Sequence, residues 1–256
     1  MPDLDFSPYL KTNGERRSLY NVGMDKSQLT NLLNGKEPEA ITRTLAMMAY
    51  NPSIGRVLEK GGVDRFADLM VETVPKFYGL VTREHFESVH AGACEAILSS
   101  FKTNRGNSLS YGQAQKPLNV FLKVYVDWAS QPTADLAQAL RPLLHVPLDS
   151  LLMEFIAHEF RDEYQSRIIP LRKRLAEWIA HRMENGSPKL VSRSWGNEFS
   201  LTGIVMKEIY LAWQEMLRSL YPGKPVMLDI IWVLERARIR ASGKAVPVGD
   251  DPGCAT

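Results

Sequence analysis

Two residues of this chain, Lys116 and Asp149, have the types and settings that nucleophilic chemistry requires. A lysine amine becomes a nucleophile when burial or nearby charge lowers its pKa, and a carboxylate beside it orients the amine and stabilises positive charge. The sequence predicts a helix start at each position. The structural alternative is that the lysine is a solvated surface group and the aspartate an N-cap, which is worth about 1 kcal/mol. Spacing alone leaves both interpretations open.

The segment 110–123 must position Lys116, and its pattern predicts a glycine turn followed by a buried helix. Pro117 has the φ angle of a first helical position and lacks the N–H group that would be unpaired there. We therefore expect the helix to begin at Pro117, with Lys116 at its entrance and Gly112 in a hairpin turn before it. The spacing i, i+3, i+4, i+7 predicts one buried face, formed by Leu118, Phe121, Leu122 and Tyr125.

The segment 145–156 must position Asp149. Pro147 disfavours helical backbone at Val146, and Asp149 has the residue type and the place of an N-cap. We therefore expect a helix to begin directly after Asp149 and to carry Leu152 on an apolar face.

The rest of the chain shows helical apolar spacing and no segment that we predict to be a strand, so the predicted class is all-α. We expect a helix that begins at Pro38 and ends near Tyr50, and the longest helix of the chain from Ile204 to Leu220. Further helices are expected near 66–70, over 86–101, near 134–140, from 170 to about 185 and over 228–240.

Composition excludes few classes of function. A length of 256 residues with 45% hydrophobic and 23% charged residues is typical of a globular protein. The formal net charge of +2 neither requires nor excludes nucleic acid, because binding depends on how charge is distributed. Two cysteines make no disulfide framework, and neither a signal peptide nor an apolar run of about 20 residues is found. We expect a cytoplasmic protein without a membrane partner.

Several common chemistries lack their motifs in this sequence. It contains no phosphate-binding loop of the Walker type, no dinucleotide-binding glycine motif and no nucleophile elbow. The pair His158-Glu159 resembles the start of a zinc-protease motif, but Asp162 stands where the second histidine is needed. His85, His90 and Cys94 can share one helix face, although core or solvated histidines are the commoner outcome. We expect no metal and no cofactor.

Three short blocks between 110 and 240 carry a resemblance to a known family. They are Gln115-Lys116 with Lys123 further on, the run from Val146 to Asp149, and the run from Pro225 to Asp229 followed by Trp232. In this order and spacing they resemble the archaeal 8-oxoguanine DNA glycosylase family, a divergent branch of the helix-hairpin-helix DNA glycosylases. The resemblance implies an all-α fold of two helical subdomains with a cleft between them.

The predicted organisation of the chain follows this resemblance. We expect a partly mobile segment 1–25, a first helical subdomain 26–106 and a helix-hairpin-helix-like subdomain 107–186 that carries the lysine and the aspartate. C-terminal helices over 187–242 would complete the cleft, and 243–256 would form a disordered tail.

The resemblance also implies roles for individual residues. It implies that Lys116 is the nucleophile, that Asp149 is its catalytic partner, and that Asp229 and Trp232 face an extruded base. Core packing is the alternative for Trp232. Further candidates are Gln113, Gln115 and Phe121 for the base, Gly112 and Lys123 for the DNA backbone, and the basic residues Arg161, Arg167, Arg172, Lys173 and Arg174 for phosphates. Hairpin hydrogen bonds are the alternative for the glutamines, and a solvated helix face for the basic residues.

These assignments predict a DNA glycosylase with lyase activity that excises a damaged or modified base. The nucleotide would be extruded from double-stranded DNA, because the glycosidic bond cannot be reached inside the base stack. Lys116 would attack the sugar C1′ and form a Schiff base, which permits strand cleavage by β-elimination. The resemblance implies an oxidised purine, and a modified base of foreign or phage DNA is the alternative. We expect a monomer associated with the nucleoid.

Two other classes of function stay open from the sequence. One is a helical nucleic-acid-binding protein without catalytic activity, in which Lys116 has no chemical role. The other is a helical ligand-binding or interaction protein unrelated to DNA, which the near-neutral net charge mildly favours. Steep salt dependence of duplex binding would distinguish a nucleic-acid protein from this last class.

Overall fold

The structure, a computed structural model, describes residues 26–79, 81–184 and 199–242. Helices dominate these ranges, which contain no β-strand and only two isolated β-bridges, from Leu58 to Thr103 and from Lys102 to Ser108. The predicted all-α class is confirmed for this part of the chain. The predicted mobile segment 1–25, the tail 243–256 and most of the loop predicted at 187–200 lie outside the described residues.

The helices follow one another with short connections. The α-helices are α1 (Lys26–Ser53), α2 (Gly62–Thr73), α3 (Arg83–Ser100), α4 (Tyr111–Leu122), α5 (Ala134–Leu140), α6 (Ser150–Glu159), α7 (Arg161–Arg167), α8 (Ile169–Glu184), α9 (Lys207–Leu220) and α10 (Ile230–Ala241). The 3₁₀ turns are Val74–Tyr78, Arg141–Leu143, Leu201–Gly203 and Pro225–Asp229. A π-helical turn, Lys123–Trp128, directly continues α4.

The contacts divide the chain into two units after Ala40. In the first unit the structure describes the beginning of α1, where Lys36 and Glu39 form an ion pair of 3.8 Å. The second unit begins at Ile41 and has a hydrophobic core to which the part of α1 after Ala40, helices α2 to α7 and α9 contribute buried side chains. The boundaries that we expect near 106 and 186 fall within the range of this second unit and stay predictions, as does a helix-hairpin-helix arrangement.

Helix α4 is the most enclosed element of the second unit. It packs against α3, against the turn Leu201–Gly203 and against α9. Among residues 111–122 only Lys116 and Val120 are not fully buried. A helix that is buried on nearly all sides belongs to the interior, so its one charged residue, Lys116, is held in position by the core.

The helix that carries Lys116 begins earlier than we expect from the sequence. Ser110 is its N-cap: Ser110 Oγ accepts a hydrogen bond from Gln113 N at 3.2 Å, and Gln113 Oε1 accepts one from Ser110 N at 3.0 Å. This capping box satisfies two N-terminal donors, which outweighs the preference of Pro117 for the first helical position. Pro117 and Lys116 therefore lie inside α4, and the prediction of a helix start at Pro117 is wrong.

Gly112 lies in the first turn of α4 and not in a hairpin turn. A Cβ atom at this position would lie 2.2 Å from the backbone oxygen of Leu201. Gly112 N donates a hydrogen bond of 2.9 Å to Ile204 O, which joins α4 to the segment before α9. Glycine is thus needed here because two backbones approach closely, and not because the chain turns.

The other helix predictions are confirmed in part. α5 has the predicted bounds, and α6 begins directly after Asp149. The prediction that a helix begins at Pro38 is wrong: α1 begins at Lys26, and Pro38 lies inside it although an interior proline removes one helical hydrogen bond. The helix predicted from Ile204 begins at Lys207, since the carbonyl of Ile204 bonds to α4, and α1 with 28 residues is longer than it. No helix in the described ranges is long and apolar enough to cross a membrane.

Candidate active site

The structure brings Lys116 and Asp149 together. Lys116 Nζ lies 3.3 Å from Asp149 Oδ2 and donates a second hydrogen bond of 3.3 Å to Pro147 O, although 33 residues separate Lys116 from Asp149 in the sequence. The side chains are 12% and 24% exposed, so both charged groups are largely withdrawn from water but remain accessible. The amine has a carboxylate as its neighbour, as the proposed nucleophilic chemistry requires.

Asp149 also has the structural role that the sequence predicts. Its Oδ1 accepts a hydrogen bond of 2.9 Å from Leu152 N and caps helix α6, while its Oδ2 faces Lys116. The two oxygens of one carboxylate therefore serve two neighbours. The cap fixes the orientation of the carboxylate, so Oδ2 is held beside Lys116.

Buried amide side chains fix the backbone before Asp149. Gln214 Oε1 accepts a hydrogen bond from Val146 N at 2.8 Å, and Gln214 Nε2 donates to Val146 O at 2.9 Å. Asn119 Nδ2 donates to the same oxygen at 3.3 Å. An unpaired amide in such a buried place would cost about 1–3 kcal/mol. These contacts therefore hold the segment that presents Pro147 O and Asp149 to the lysine.

Lys116 and Asp149 line a pocket of about 130 Å³ that opens to solvent. Its other walls come from Gln113, from Leu201 and Thr202, from Ser150 and from the end of α1 with the loop after it (Ser53, Ile54, Arg56 and Val57). Arg56 is exposed and adds a second positive charge to the wall. Sequence reasoning did not select Arg56, because nothing in the local pattern indicates that this loop lies beside Lys116.

A second ion pair, between Lys123 and Asp229, lies further along the same helix. Lys123 follows Lys116 by seven residues, which is two helical turns or about 10 Å on the same face. The Lys123 and Asp229 side chains are 13% and 4% exposed. Asp229 Oδ2 accepts a hydrogen bond from Lys123, whereas Asp229 Oδ1 has no hydrogen-bond partner among the described residues. A buried carboxylate oxygen without a donor is uncommon in proteins.

Three of the predicted contact residues lie where they do not face the pocket. Gln115 is completely buried, donates to Gly112 O at 2.9 Å and accepts from Asn119 Nδ2 at 2.5 Å. Phe121 is completely buried against Phe66. Gly112 is buried, and its N–H group is already donated to Ile204. Burial in the core explains why none of the three has a group available to a base or a phosphate in this structure.

The remaining predicted contact residues have different settings. Gln113 is used in the capping box of α4 and also lines the pocket. Trp232 is half-buried on α10, with the guanidinium of Arg236 at 5.7 Å from its ring centroid. The predicted phosphate-binding residues Arg161, Arg167, Lys173 and Arg174 are exposed on α7 and α8, and Arg172 is half-buried.

A buried polar network that the sequence did not reveal lies beside the site. Asn119 Nδ2 donates to Tyr210 Oη at 2.9 Å, and its Oδ1 lies 2.7 Å from His90 Nε2. Tyr210 Oη in turn lies 2.6 Å from His145 Nδ1, and His145 Nε2 lies 3.0 Å from Glu87 Oε1. These polar residues are spread over α3, α4, α9 and the segment before α6, so no local motif could have identified them.

Burial keeps the two histidines of this network neutral. Loss of hydration lowers the pKa of His90 to about 3 and lowers the pKa of His145 as well. Burial raises the pKa of the Cys94 thiol to about 12, which makes Cys94 a poor nucleophile. His85 bonds to Lys76 O, away from His90 and Cys94. The described residues contain no group of three His, Cys, Asp or Glu residues that could hold a metal ion.

Comparison of the chain with protein-family models, with curated proteins and with solved structures gives no match.

Proposed function

We propose that the protein is a DNA glycosylase with lyase activity, in which Lys116 is the nucleophile and Asp149 is its catalytic partner. The observation that carries this proposal is the distance of 3.3 Å between Lys116 Nζ and Asp149 Oδ2 in the wall of an open pocket. A lysine and a carboxylate in contact are the two groups that Schiff-base chemistry at a sugar carbon needs. The resemblance of the three sequence blocks supports DNA as the substrate.

In the proposed reaction, the amine must be neutral when it attacks. It forms a bond to C1′ of the extruded nucleotide as the bond from C1′ to the base breaks, and the base leaves with the electron pair of that bond. The Asp149 carboxylate then accepts the proton that the alkylated amine releases and passes it to the departing base. Ring opening gives the Schiff base, loss of a C2′ proton follows, and the 3′ phosphate leaves as the strand is cleaved. Asp149 stabilises the positive charge that develops on the sugar.

We infer from the small size of the pocket that the sugar and the base occupy two different positions. The pocket of about 130 Å³ is smaller than the roughly 300–1,000 Å³ of typical small-molecule sites, so it suits the sugar better than a whole nucleotide. Asp229 lies beside Lys123, about two helical turns from Lys116; its Oδ1 is buried and has no hydrogen-bond partner among the described residues, so it becomes an acceptor for an N–H group of a base once the surface over it opens. We propose that the base extends from Lys116 toward Asp229, while the exposed Arg56 binds a neighbouring phosphate.

The first test is borohydride trapping on a duplex with one abasic site, since the abasic sugar presents its aldehyde whatever base the protein removes. The unsubstituted protein should form a covalent adduct, and Lys116→Ala should lose it. Lys76→Ala is the matched control, because Lys76 is exposed and does not line the pocket. Equal trapping by Lys116→Ala and by the control would contradict the proposed role of Lys116.

The identity of the base needs a separate experiment. An unpaired buried acceptor at Asp229 suits a base with an N–H group, which fits the oxidised purine that the family resemblance implies. Modified bases of foreign DNA are the alternative. A panel of duplexes, each with one damaged or modified base, should show release of an oxidised purine. Release of modified pyrimidines alone would favour the alternative.

One observation favours a second candidate function, a nucleic-acid-binding protein without catalytic activity. Lys116 Nζ donates to both Pro147 O and Asp149 Oδ2, and this pair of contacts is also what a purely structural link between α4 and the segment before α6 requires. This candidate predicts duplex binding without any trapped adduct. Duplex binding that Lys116→Ala leaves unchanged, together with an absence of trapping, would establish it.

A further inference from the structure

Trp128 is the most exposed large apolar side chain in the described part of the chain, at 68%. It is the last residue of the π-helical turn that continues α4. Single exposed apolar side chains are common and usually need no explanation. Trp128 differs from that ordinary case in the rigidity of its backbone, in its contact with Lys123 and in the charges around it.

The backbone that carries Trp128 is held on both sides. Arg141 Nη2 donates to Asp127 O at 3.4 Å and to Ser130 Oγ at 3.1 Å. Ala129 N donates to Val124 O at 2.9 Å, and Gln131 N donates to Tyr125 O at 2.9 Å. An aromatic ring that is exposed on a fixed backbone loses little conformational freedom when it binds a ligand. π-Helical turns of this kind are frequent at functional sites.

The ion pairs around Trp128 expose their cations more than their carboxylates. Asp127 and Asp229 are each 4% exposed, so their carboxylates lie beneath the surface. Their cationic partners are more exposed: Lys123 at 13%, Arg141 at 25% and Lys224 at 36%. Lys224 Nζ lies 2.7 Å and Arg141 Nε 3.2 Å from Asp127 Oδ1. Solvent therefore meets mainly the positive groups, which suits an anionic ligand.

Trp128 is also connected to the proposed site. Lys123 Nζ lies 4.8 Å from the centroid of the Trp128 ring and bonds to Asp229 at the same time. Lys123 in turn lies on the Lys116 face of the helix, about two turns further on. Trp128, Lys123 and the candidate nucleophile Lys116 thus follow one another along α4 and the turn that continues it, while Arg141 and Lys224 approach from two other segments.

We propose that Trp128, Lys123, Arg141 and Lys224 form a binding platform for the DNA strand beside the extruded nucleotide. An unpaired base stacks on the Trp128 ring, and the three cations bind the adjacent phosphate. Stacking on an aromatic side chain suits any base, because every base has a π face. The platform rests on the proposed function, to which it adds a contact that holds the opened strand next to Lys116.

The test compares three substitutions of Trp128 by their affinity for a duplex that contains a stable abasic analogue. Trp128→Phe keeps an aromatic face, Trp128→Leu keeps apolar area without one, and Trp128→Ala removes both. We expect Trp128→Phe to bind within about threefold of the unsubstituted protein, and the other two to bind about tenfold or more weakly. Thermal unfolding of each variant checks that the fold is intact.

A base-specific measurement shows where the ring lies. A fluorescent adenine analogue is placed in turn at each position next to the abasic site, and its quenching is measured on binding. Quenching should be strongest at one position in the unsubstituted protein and in Trp128→Phe, and should be lost in Trp128→Leu.

The outcomes separate the two proposals. Equal affinities and equal quenching for all variants, with a trapped adduct still formed, would refute the platform and leave the glycosylase proposal standing. If the unsubstituted protein bound no duplex, both proposals would be wrong. Binding of a protein partner that depends on Trp128, without any effect on DNA, would also overturn the platform.

Discussion

At the scale of single residues, the site depends on a carboxylate with two tasks. Asp149 caps helix α6 through Oδ1 and faces Lys116 through Oδ2. The sequence predicts the cap, because the residue type and the preceding Pro147 are local signals. The sequence could not show the contact with Lys116 by spacing alone, because that contact joins segments whose approach is set by the core.

Two substitutions of Asp149 separate these tasks. Asn is as good an N-cap as Asp, so Asp149→Asn should keep the cap and lose only the contribution of the ion pair with Lys116, about 1 kcal/mol or less in the free energy of unfolding. Its loss of charge should slow adduct formation by at least about 100-fold, because developing positive charge loses its stabilisation. Asp149→Ala should in addition lose about 1 kcal/mol of stability. The measurements are urea unfolding and single-turnover trapping. Normal trapping by Asp149→Asn would mean that Asp149 is only a cap.

At the scale of elements, helix α4 shows where local signals fail. Pro117 and Gly112 predict a turn and a helix start, yet the capping box at Ser110 and Gln113 starts the helix earlier. Gly112 serves a contact with Leu201, which lies far away in the sequence. Apolar spacing predicted most other helices, since it reflects which face is buried. The exact bounds of the helices depend on tertiary contacts, which the sequence pattern does not contain.

Gly112→Ala tests the close approach of α4 to the turn Leu201–Gly203. Alanine is favoured over glycine within a helix by about 1 kcal/mol, but a Cβ here would lie 2.2 Å from Leu201 O. We expect a net loss of about 1–3 kcal/mol in the free energy of unfolding. Gly92→Ala in α3 is the control, because nothing lies within 4 Å of its Cβ position, and it should be neutral or stabilising. A stabilising Gly112→Ala would contradict the contact.

At the scale of the whole molecule, the second unit holds a polar network with two neutral histidines inside its core. His90 and His145 are each 1% exposed, and they link α3, α9 and the segment before Asp149. Single histidines in apolar stretches gave no sequence signal for this arrangement, because each looks like an isolated core or surface residue. The all-α class was predictable from periodicity, but the network depends on how distant helices pack.

The network makes stability depend on pH. The pKa of His90 is lowered to about 3, below its ordinary value of about 6.5. Between these two pH values the unfolded chain binds a proton that the folded chain does not. The contribution of neutral His90 to the free energy of unfolding is therefore fully present above pH 6.5 and is lost as the pH falls below it. Each such histidine contributes a slope of about 1.4 kcal/mol per pH unit. Urea unfolding at pH 7 and at pH 5 measures this loss.

His90→Gln provides the control for the pH dependence. Glutamine keeps a hydrogen-bonding group without a titrating ring. The difference in the free energy of unfolding between pH 7 and pH 5 should therefore shrink by the part that comes from protonation of His90 in the unfolded chain. Carboxylates titrate mainly below this window, so they add little to the slope. Stability that stays constant or increases on acidification of the unsubstituted protein would contradict neutral buried histidines.

The central claim is that Lys116 forms the covalent bond to the sugar, and peptide mapping of the trapped adduct tests it most directly. The reduced complex with an abasic duplex is digested with protease and nuclease, and mass spectrometry identifies the lysine that carries the sugar remnant. Lys123, about two turns along the same helix, provides a competing amine. Modification of Lys116 is the predicted result. A remnant on Lys123 or on another lysine, or no adduct despite duplex binding, would contradict the account.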